Sequence, residues 1–461
     1  MLFSSYEFIF AFLPFTFFIY FYLNHKNYTE LSKLFLVLAS LFFYSWWNII
    51  YLPLILGSMF FNYAIGSFLS KGHAFSKKSV LSFGIIANLS LLGYFKYSDF
   101  FIENINLLTG SQIGLLHLAL PLAISFFTFQ QIAYLVDSYK NETKEYDFLN
   151  YAIFVTYFPQ LIAGPIVHHK EMMPQFASSS TKKLHYHNIS LGLFIFSIGL
   201  FKKIVIADTF AIWATAGFDS TTSLQFYEAW ATSLSYTFQL YFDFSGYTDM
   251  AIGASLLFNI RLPINFDSPY KATSIQDFWR RWHITLSRFL KEYIYIPLGG
   301  NRKGEVRTYT NLFTTFLLGG IWHGAGWTFI FWGFMHGMAL VIHRAWSQLG
   351  FKMPTVLAWF VTFNFVNISW VFFRAKEWED ALKVLKGMVD FSDFTFSLNS
   401  LEAFIILIGF IMILGFKNSM YYYEHKFTFT AKQALIMITA LSLSIYAIRL
   451  RNSSEFLYFN F

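Results

Sequence analysis

The sequence contains no cysteine. That absence excludes disulfides, thiolate metal sites and an acyl thioester on the chain itself. Any nucleophile or base must be Ser, His, Asp, Glu, Lys or Tyr. Charge is scarce as well: Asp, Glu, Lys and Arg make up 13% of 461 residues, about half the share in an ordinary soluble domain. Apolar residues take their place, with 56% hydrophobic and 22% aromatic and a mean hydropathy of +0.47. A soluble enzyme, a disordered regulator and a secreted disulfide scaffold do not fit. The composition predicts an all-α, polytopic integral membrane protein. The net charge of +7 gives no case for nucleic acid, because a membrane protein collects such an excess in its cytoplasmic loops.

A spanning helix needs about 20 mostly apolar residues. Such stretches lie near 8–23, 31–47, 52–69, 80–96, 115–136, 189–206, 229–248, 309–325, 328–342, 356–373, 402–416 and 433–449. They predict eleven or twelve spans, some tilted, broken or re-entrant. The first has no basic residue before it and no small-residue cleavage site, so it reads as a retained span. Between spans, Lys26, Lys33, Lys71, Lys77 and Lys78 alternate with loops that carry no base, and residues 261–307 hold nine Lys or Arg. The alternation predicts both termini outside and the 261–307 loop inside. Lys202 and Lys203 strain this scheme, since it puts them near the outer end of a span. Without a linker or repeat, residues 1–461 read as one integral domain in a lipid bilayer, with its chemistry in about 120–345.

Ionisable residues at membrane depth are costly, and each is a functional candidate. Residues Gln276–Ile296 read as an amphipathic helix. Trp279, Trp282, Leu286, Leu290 and Ile294 share one face, and Arg281, Arg288 and Glu292 another. His283 falls on the apolar side. An interfacial helix with Trp and Arg anchors explains this pattern as well as a site does. The second candidate is Gly319-Gly320-Ile321-Trp322-His323-Gly324-Ala325-Gly326-Trp327. Its glycines allow a broken helix and close backbone approach. A histidine, with an ordinary pKa of about 6.5, takes and returns protons near neutrality, and a buried neutral ring suits a general base. Its bland counterpart is a histidine that only packs helices together, and His336 fits that description better. Asp243 and Asp249 bracket Ser245 in Gln239–Asp249; they line an entrance, orient another side chain, or mark a loop with a capped helix start. No nucleophile elbow, phosphate loop or spaced histidine metal pair occurs. His168 and His169 are adjacent, a poor arrangement for a metal, and none is expected.

Together these segments resemble the membrane-bound O-acyltransferase family, in its alginate O-acetylase and peptidoglycan O-acetyltransferase branch. The resemblance runs over nearly the whole chain. It is carried by Ser125–Gln130, Tyr157–Ile166, Tyr241–Tyr247, Phe278–His283, Gly320–Gly324 and the terminal Phe456–Phe461. It implies a ring of helices around a central tunnel in a bacterial cytoplasmic (inner) membrane. His323 is then catalytic and His283, forty residues upstream, its partner. The resemblance also implies a cytoplasmic acyl donor, acetyl-CoA, as co-substrate with no bound cofactor, and a glycan acceptor on the other face. Arg280 and Arg281 are the bases expected to touch the donor, and Trp322, Asp243, Ser245 and His336 further tunnel-lining candidates. The aromatic tail Phe456–Phe461 is an interfacial anchor or the contact for an extracytoplasmic O-acetyltransferase partner. The expected reaction is O-acetylation of an extracytoplasmic glycan. The compact length points toward peptidoglycan rather than an alginate-like exopolysaccharide. The rivals are D-alanyl transfer to teichoic acid and a polysaccharide transporter or flippase without chemistry.

Overall fold

The apolar runs fold as helices, and no strand occurs among the described residues. The computed structural model describes residues 1–71, 76–143, 147–220, 222–392, 398–450 and 456–457. Among the described residues seven helices are long and apolar enough to cross a membrane, from Glu7–His25 near the start to Ala431–Leu450 near the end. Several turn bare apolar faces outward: Phe404, Leu407 and Ile411 are exposed on one such helix. Outward Phe, Leu and Ile in such numbers need a lipid solvent, and the chain is a multi-pass membrane protein. The remaining apolar stretches are helical too. The 115–136 stretch is helical only from Ile124. Before it, Pro121 lacks the N–H a helix needs, His117 and Ala123 take positive φ, and Asp99 accepts the N–H groups of Leu116 and His117.

The interior is organised around one helix, Phe226–Leu257, opened by a capping box between Gln225 and Glu228 and buried almost throughout its second half. It lies against the helical run Tyr186–Asp219 on two glycine contacts. A Cβ on Gly253 would sit 2.6 Å from the Gly192 carbonyl oxygen, and one on Gly199 2.6 Å from that of Gly246. Small residues let the two backbones touch, which is how helices gain packing where lipid supplies no hydrophobic drive.

That contact sets the place of five buried charges. Midway along Tyr186–Asp219 the helix widens into a π-turn, Lys202–Ala207, which turns both lysines inward. Lys202 meets Asp249 at 2.7 Å; Lys203 meets Asp243 and Asp208, each at 2.8 Å. The strain these lysines put on the loop-charge scheme disappears. They are not bases at a span's outer end but partners of buried carboxylates, the form in which charge survives in an apolar interior. Asp243 and Asp249 correspondingly lie inside a continuous helix, not in a loop with a capped start.

Gly246→Val is expected to destabilise the protein by roughly 1–3 kcal/mol, because the added branches meet backbone. Thermal unfolding in detergent reads this as a lower Tm. Gly57→Val, where a Cβ meets nothing within 4 Å, should leave the Tm nearly in place.

Candidate active site

His323 is the last residue of the Glu305–His323 helix, and Trp327–Gln348 begins just beyond it. Between them Gly324 and Gly326 run extended; a Cβ on Gly324 would collide with the Phe329 ring. The two helices are pressed together at Gly320 and Gly333. A helix that stops leaves its final carbonyls without partners. Here Lys96 supplies them: its Nζ donates to Trp322 O at 2.6 Å, to His323 O at 3.0 Å and to Ser125 Oγ at 3.3 Å. Tyr97 adds a bond from its hydroxyl to Ile321 O at 2.6 Å. Both come from Lys77–Thr109, a helix of 33 residues that runs well past the expected span. Sequence reasoning missed them and placed the chemistry after residue 120. The available signal was a lysine closing an apolar run, a position where charge needs a reason.

The His323 ring is buried and walled by aromatics, with centroids 4.9 Å from Trp322 and 5.1 Å from both Trp332 and Phe373. Trp332 continues to Trp370 at 5.7 Å and Trp370 to Trp282 at 5.0 Å. The indole nitrogens of Trp322, Trp332 and Trp370 are buried without a hydrogen-bond partner among the described residues. Buried donors in this state favour a guest rich in acceptor oxygens.

His283 sits where the expected Gln276–Ile296 helix breaks. The chain forms Ile275–Arg281, then Ile284–Leu290, then a π-turn at Lys291–Tyr295. His283 between them is left-handed, φ 44° and ψ 54°, a conformation rare for a residue with a Cβ and kept only where the surroundings impose it. Asn265 imposes it. Its Oδ1 accepts from Thr285 N–H at 3.2 Å and Thr285 Oγ1 at 2.9 Å, and its backbone carbonyl from Ile284 N–H at 3.0 Å. The same Oδ1 lies 3.1 Å from His283 Nδ1. An amide oxygen can only accept, so Nδ1 carries the proton and Nε2 of the neutral ring is an acceptor. Phe244 stands edge-on to the ring at 4.8 Å. His283, Lys96 and His336 all lie within electrostatic range of His323.

His336 is held from both sides. Trp279 Nε1 donates to its Nδ1 at 3.2 Å, and Nε2 faces Ser369 Oγ at 3.0 Å. With both nitrogens committed, its visible work is to fix Trp279. Of the two arginines, Arg281 is tied to Asp277 at 2.9 Å and lies 3.6 Å from Asp267, while Arg280 is exposed and close to His343. A cavity of about 470 Å³ opens nearby, lined by Trp279, Lys291, Tyr295, His343 and Arg344 among others. Neither Arg280 nor Arg281 lines it; the bases that do were not singled out from sequence. Its Trp279 wall is 5.8 Å from Trp332, the ring that touches His323. Ser245 is buried in the central helix, its hydroxyl without a hydrogen-bond partner among the described residues. His168 and His169 do point apart, His168 toward Asp137, Glu292 and Tyr293 and His169 toward Phe154. Of the terminal hexapeptide only Phe456 and Leu457 are described; the other four residues lie outside the described set.

Two buried histidines at two helix breaks thus lie within electrostatic range of each other, and comparison of the whole chain with known proteins gives its family. The model of the membrane-bound O-acyltransferase family matches residues 7–376. The chain belongs to that family. It is 60% identical over 420 residues to the peptidoglycan O-acetyltransferase of Helicobacter pylori, covering 84% of this chain and 80% of that one. It is 38% identical to a probable alginate O-acetylase of Pseudomonas putida over the full length of both. A teichoic acid D-alanyltransferase of Bacillus subtilis is more distant, 26% identical over 55% of this chain and 69% of its own. The chain is thus a membrane O-acyltransferase, and the aromatic-walled region around His323 and His283 is the candidate active site.

Lys96→Met removes the cation that closes the helix before Gly324. Displacing a reacting group by about 1 Å costs on the order of 100-fold, so acyl transfer should fall about 10- to 100-fold at equal membrane content. Assay of purified protein in detergent checks this; full turnover would show that the break holds without Lys96.

Proposed function

We propose that the protein is an O-acetyltransferase that takes acetyl from a thioester, acetyl-CoA, and delivers it toward peptidoglycan outside the bacterial inner membrane. The observation that carries the reading is His323: a buried imidazole at a helix end fixed by Lys96, facing aromatic walls with indole donors to spare. A neutral ring there takes the proton of an acceptor hydroxyl. The hydroxyl oxygen attacks the thioester carbonyl, the carbon–sulfur bond breaks, and the imidazolium returns its proton to the departing thiolate. Indole N–H groups suit the negative oxygen that forms on the way. His283, with Nε2 as its acceptor, suits orienting the incoming hydroxyl. That role differs from donating to the donor carbonyl, which would need the proton on the other nitrogen.

The cavity beside Trp279 fits the donor's approach, since Lys291 and Arg344 are the kind of bases that hold phosphates. The basic 261–307 segment then faces the cytoplasm and both termini face outward. An acceptor entering from outside, and an extracytoplasmic partner enzyme that finishes transfer onto glycan, complete the proposal. Peptidoglycan is preferred over alginate-like polysaccharide because identity to the peptidoglycan O-acetyltransferase is 60%, against 38% to the alginate O-acetylase.

Ester-linked acetate on purified peptidoglycan tests this reading. His323→Ala should lose about 100-fold or more of it, and His283→Ala about 10- to 100-fold, at equal membrane content. Unchanged acetate in His323→Ala would remove it as the base. Loss of ester-linked D-alanine instead of acetate would hand the chain to the D-alanyl transfer reading.

A further inference from the structure

Phe456 is buried and Leu457 half-buried. The Phe456 ring is 1% exposed, stacked on Tyr247 at 4.2 Å with an interplanar angle of 18°, and 5.9 Å from Phe244. Phe244 is the ring that stands edge-on to His283. The backbone N–H of Leu457 donates to Asp243 Oδ2 at 3.0 Å. The other oxygen of that carboxylate, Oδ1, lies 2.8 Å from Lys203 Nζ, which is also 2.8 Å from Asp208. Asp243, Phe244 and Tyr247 thus form one seat, within a turn and a half of the central helix.

At this seat two carboxylates meet one lysine. Lys202 meets a single carboxylate, Asp249, which is completed by the Ser419 hydroxyl. Lys203 meets two. A second buried carboxylate, Asp243, carries a desolvation cost that its hydrogen bonds offset. One of these lies on Oδ2, which accepts a backbone donor from a part of the chain 214 residues away. A charged acceptor makes that bond stronger than an amide–amide one. A backbone donor also carries no side-chain identity, so what it fixes is the register of the chain, leaving Tyr247 and Phe244 to select the ring.

We propose that Asp243 is a positioning residue: held by Lys203 and Asp208, it pins the chain at Leu457 so that Phe456 closes the Phe244–Tyr247 face beside His283. The C-terminal segment is then a working wall of the active site, and the buried lysine–aspartate trio exists to seat it. The contacts carry this inference independently of which acyl group is transferred.

The cysteine-free chain allows a direct test. Leu457→Cys introduces a single thiol and leaves the backbone N–H in place. In full-length protein in membranes, reaction of that thiol with a bulky maleimide should be slow. Adding Asp243→Ala should speed it by about tenfold or more, the effect of losing a charge-assisted bond. Asp243→Asn, which keeps an acceptor oxygen, should lie closer to the parent, and Asp249→Asn, an equally buried neighbour that does not touch Leu457, should match it. Labelling at the parent rate in Asp243→Ala overturns the proposal, as does equal acceleration by Asp249→Asn. Should Asp243→Ala fail to accumulate, Leu457→Pro deletes the donor and leaves the ions intact. Its kcat should be about tenfold below that of Leu457→Ala with the donor KM unchanged, and equal kcat values overturn the proposal. A chain inactive in every form would refute the acetyl-transfer reading while leaving the labelling result to stand.

Discussion

A helix that stops inside a membrane has carbonyl oxygens and no water to satisfy them, and this structure meets that demand with one lysine. Lys96 reaches Trp322 O and His323 O together. Because those oxygens are satisfied, the chain can stop at His323, turn through Gly324 and start again at Trp327. Because it turns there, the imidazole ends among the rings of Trp322, Trp332 and Phe373 rather than on an open helix flank. The aromatic walls, the indole donors and the second histidine are useful only around a ring held in that place. The placing of the His323 ring depends on a lysine that touches only its backbone.

The same physics recurs where the chain breaks a second time. His283 takes a left-handed conformation that an isolated chain would avoid, and Asn265 meets the cost by gathering the donors that the break leaves unpaired. At the third irregular place, the π-turn at Lys202–Ala207, the widened helix turns two lysines toward three aspartates. At these three places the departure from regular helix is matched by a polar partner from another segment. Glycine contacts at Gly192–Gly253, Gly199–Gly246 and Gly320–Gly333 bring the backbones near enough for those partners to reach.

What could be read from the sequence follows from this division. Apolar length and periodicity are local, so the all-α membrane fold and nearly every helical stretch were legible, and a histidine between glycines at membrane depth announced a break at His323. The break at His283 was not legible. Trp279, Trp282, Leu286 and Leu290 fit one helical face, and only Asn265, outside that window, interrupts it. Lys202 and Lys203 were misplaced for a similar reason: a loop-charge rule counts lysines, but two of their three aspartates, Asp243 and Asp249, lie on another helix. Lys96 was hidden furthest, since its partners are backbone oxygens, which no side-chain pattern encodes.

The long reach of Lys96 bears on how the protein is made. Its helix is complete and in the membrane when His323, 227 residues later, has yet to be synthesised. At about 5–20 residues per second that interval is roughly 10–45 s. Throughout it an ammonium group must remain near the bilayer interface, or in the shelter of the insertion machinery, and can sink to its final depth only when the Glu305–His323 helix arrives to receive it. The candidate active site is therefore among the later features to form during biogenesis. A chain interrupted before Gly324 would hold a membrane-inserted lysine with nothing to cap, a state that a quality-control protease could recognise by its charge.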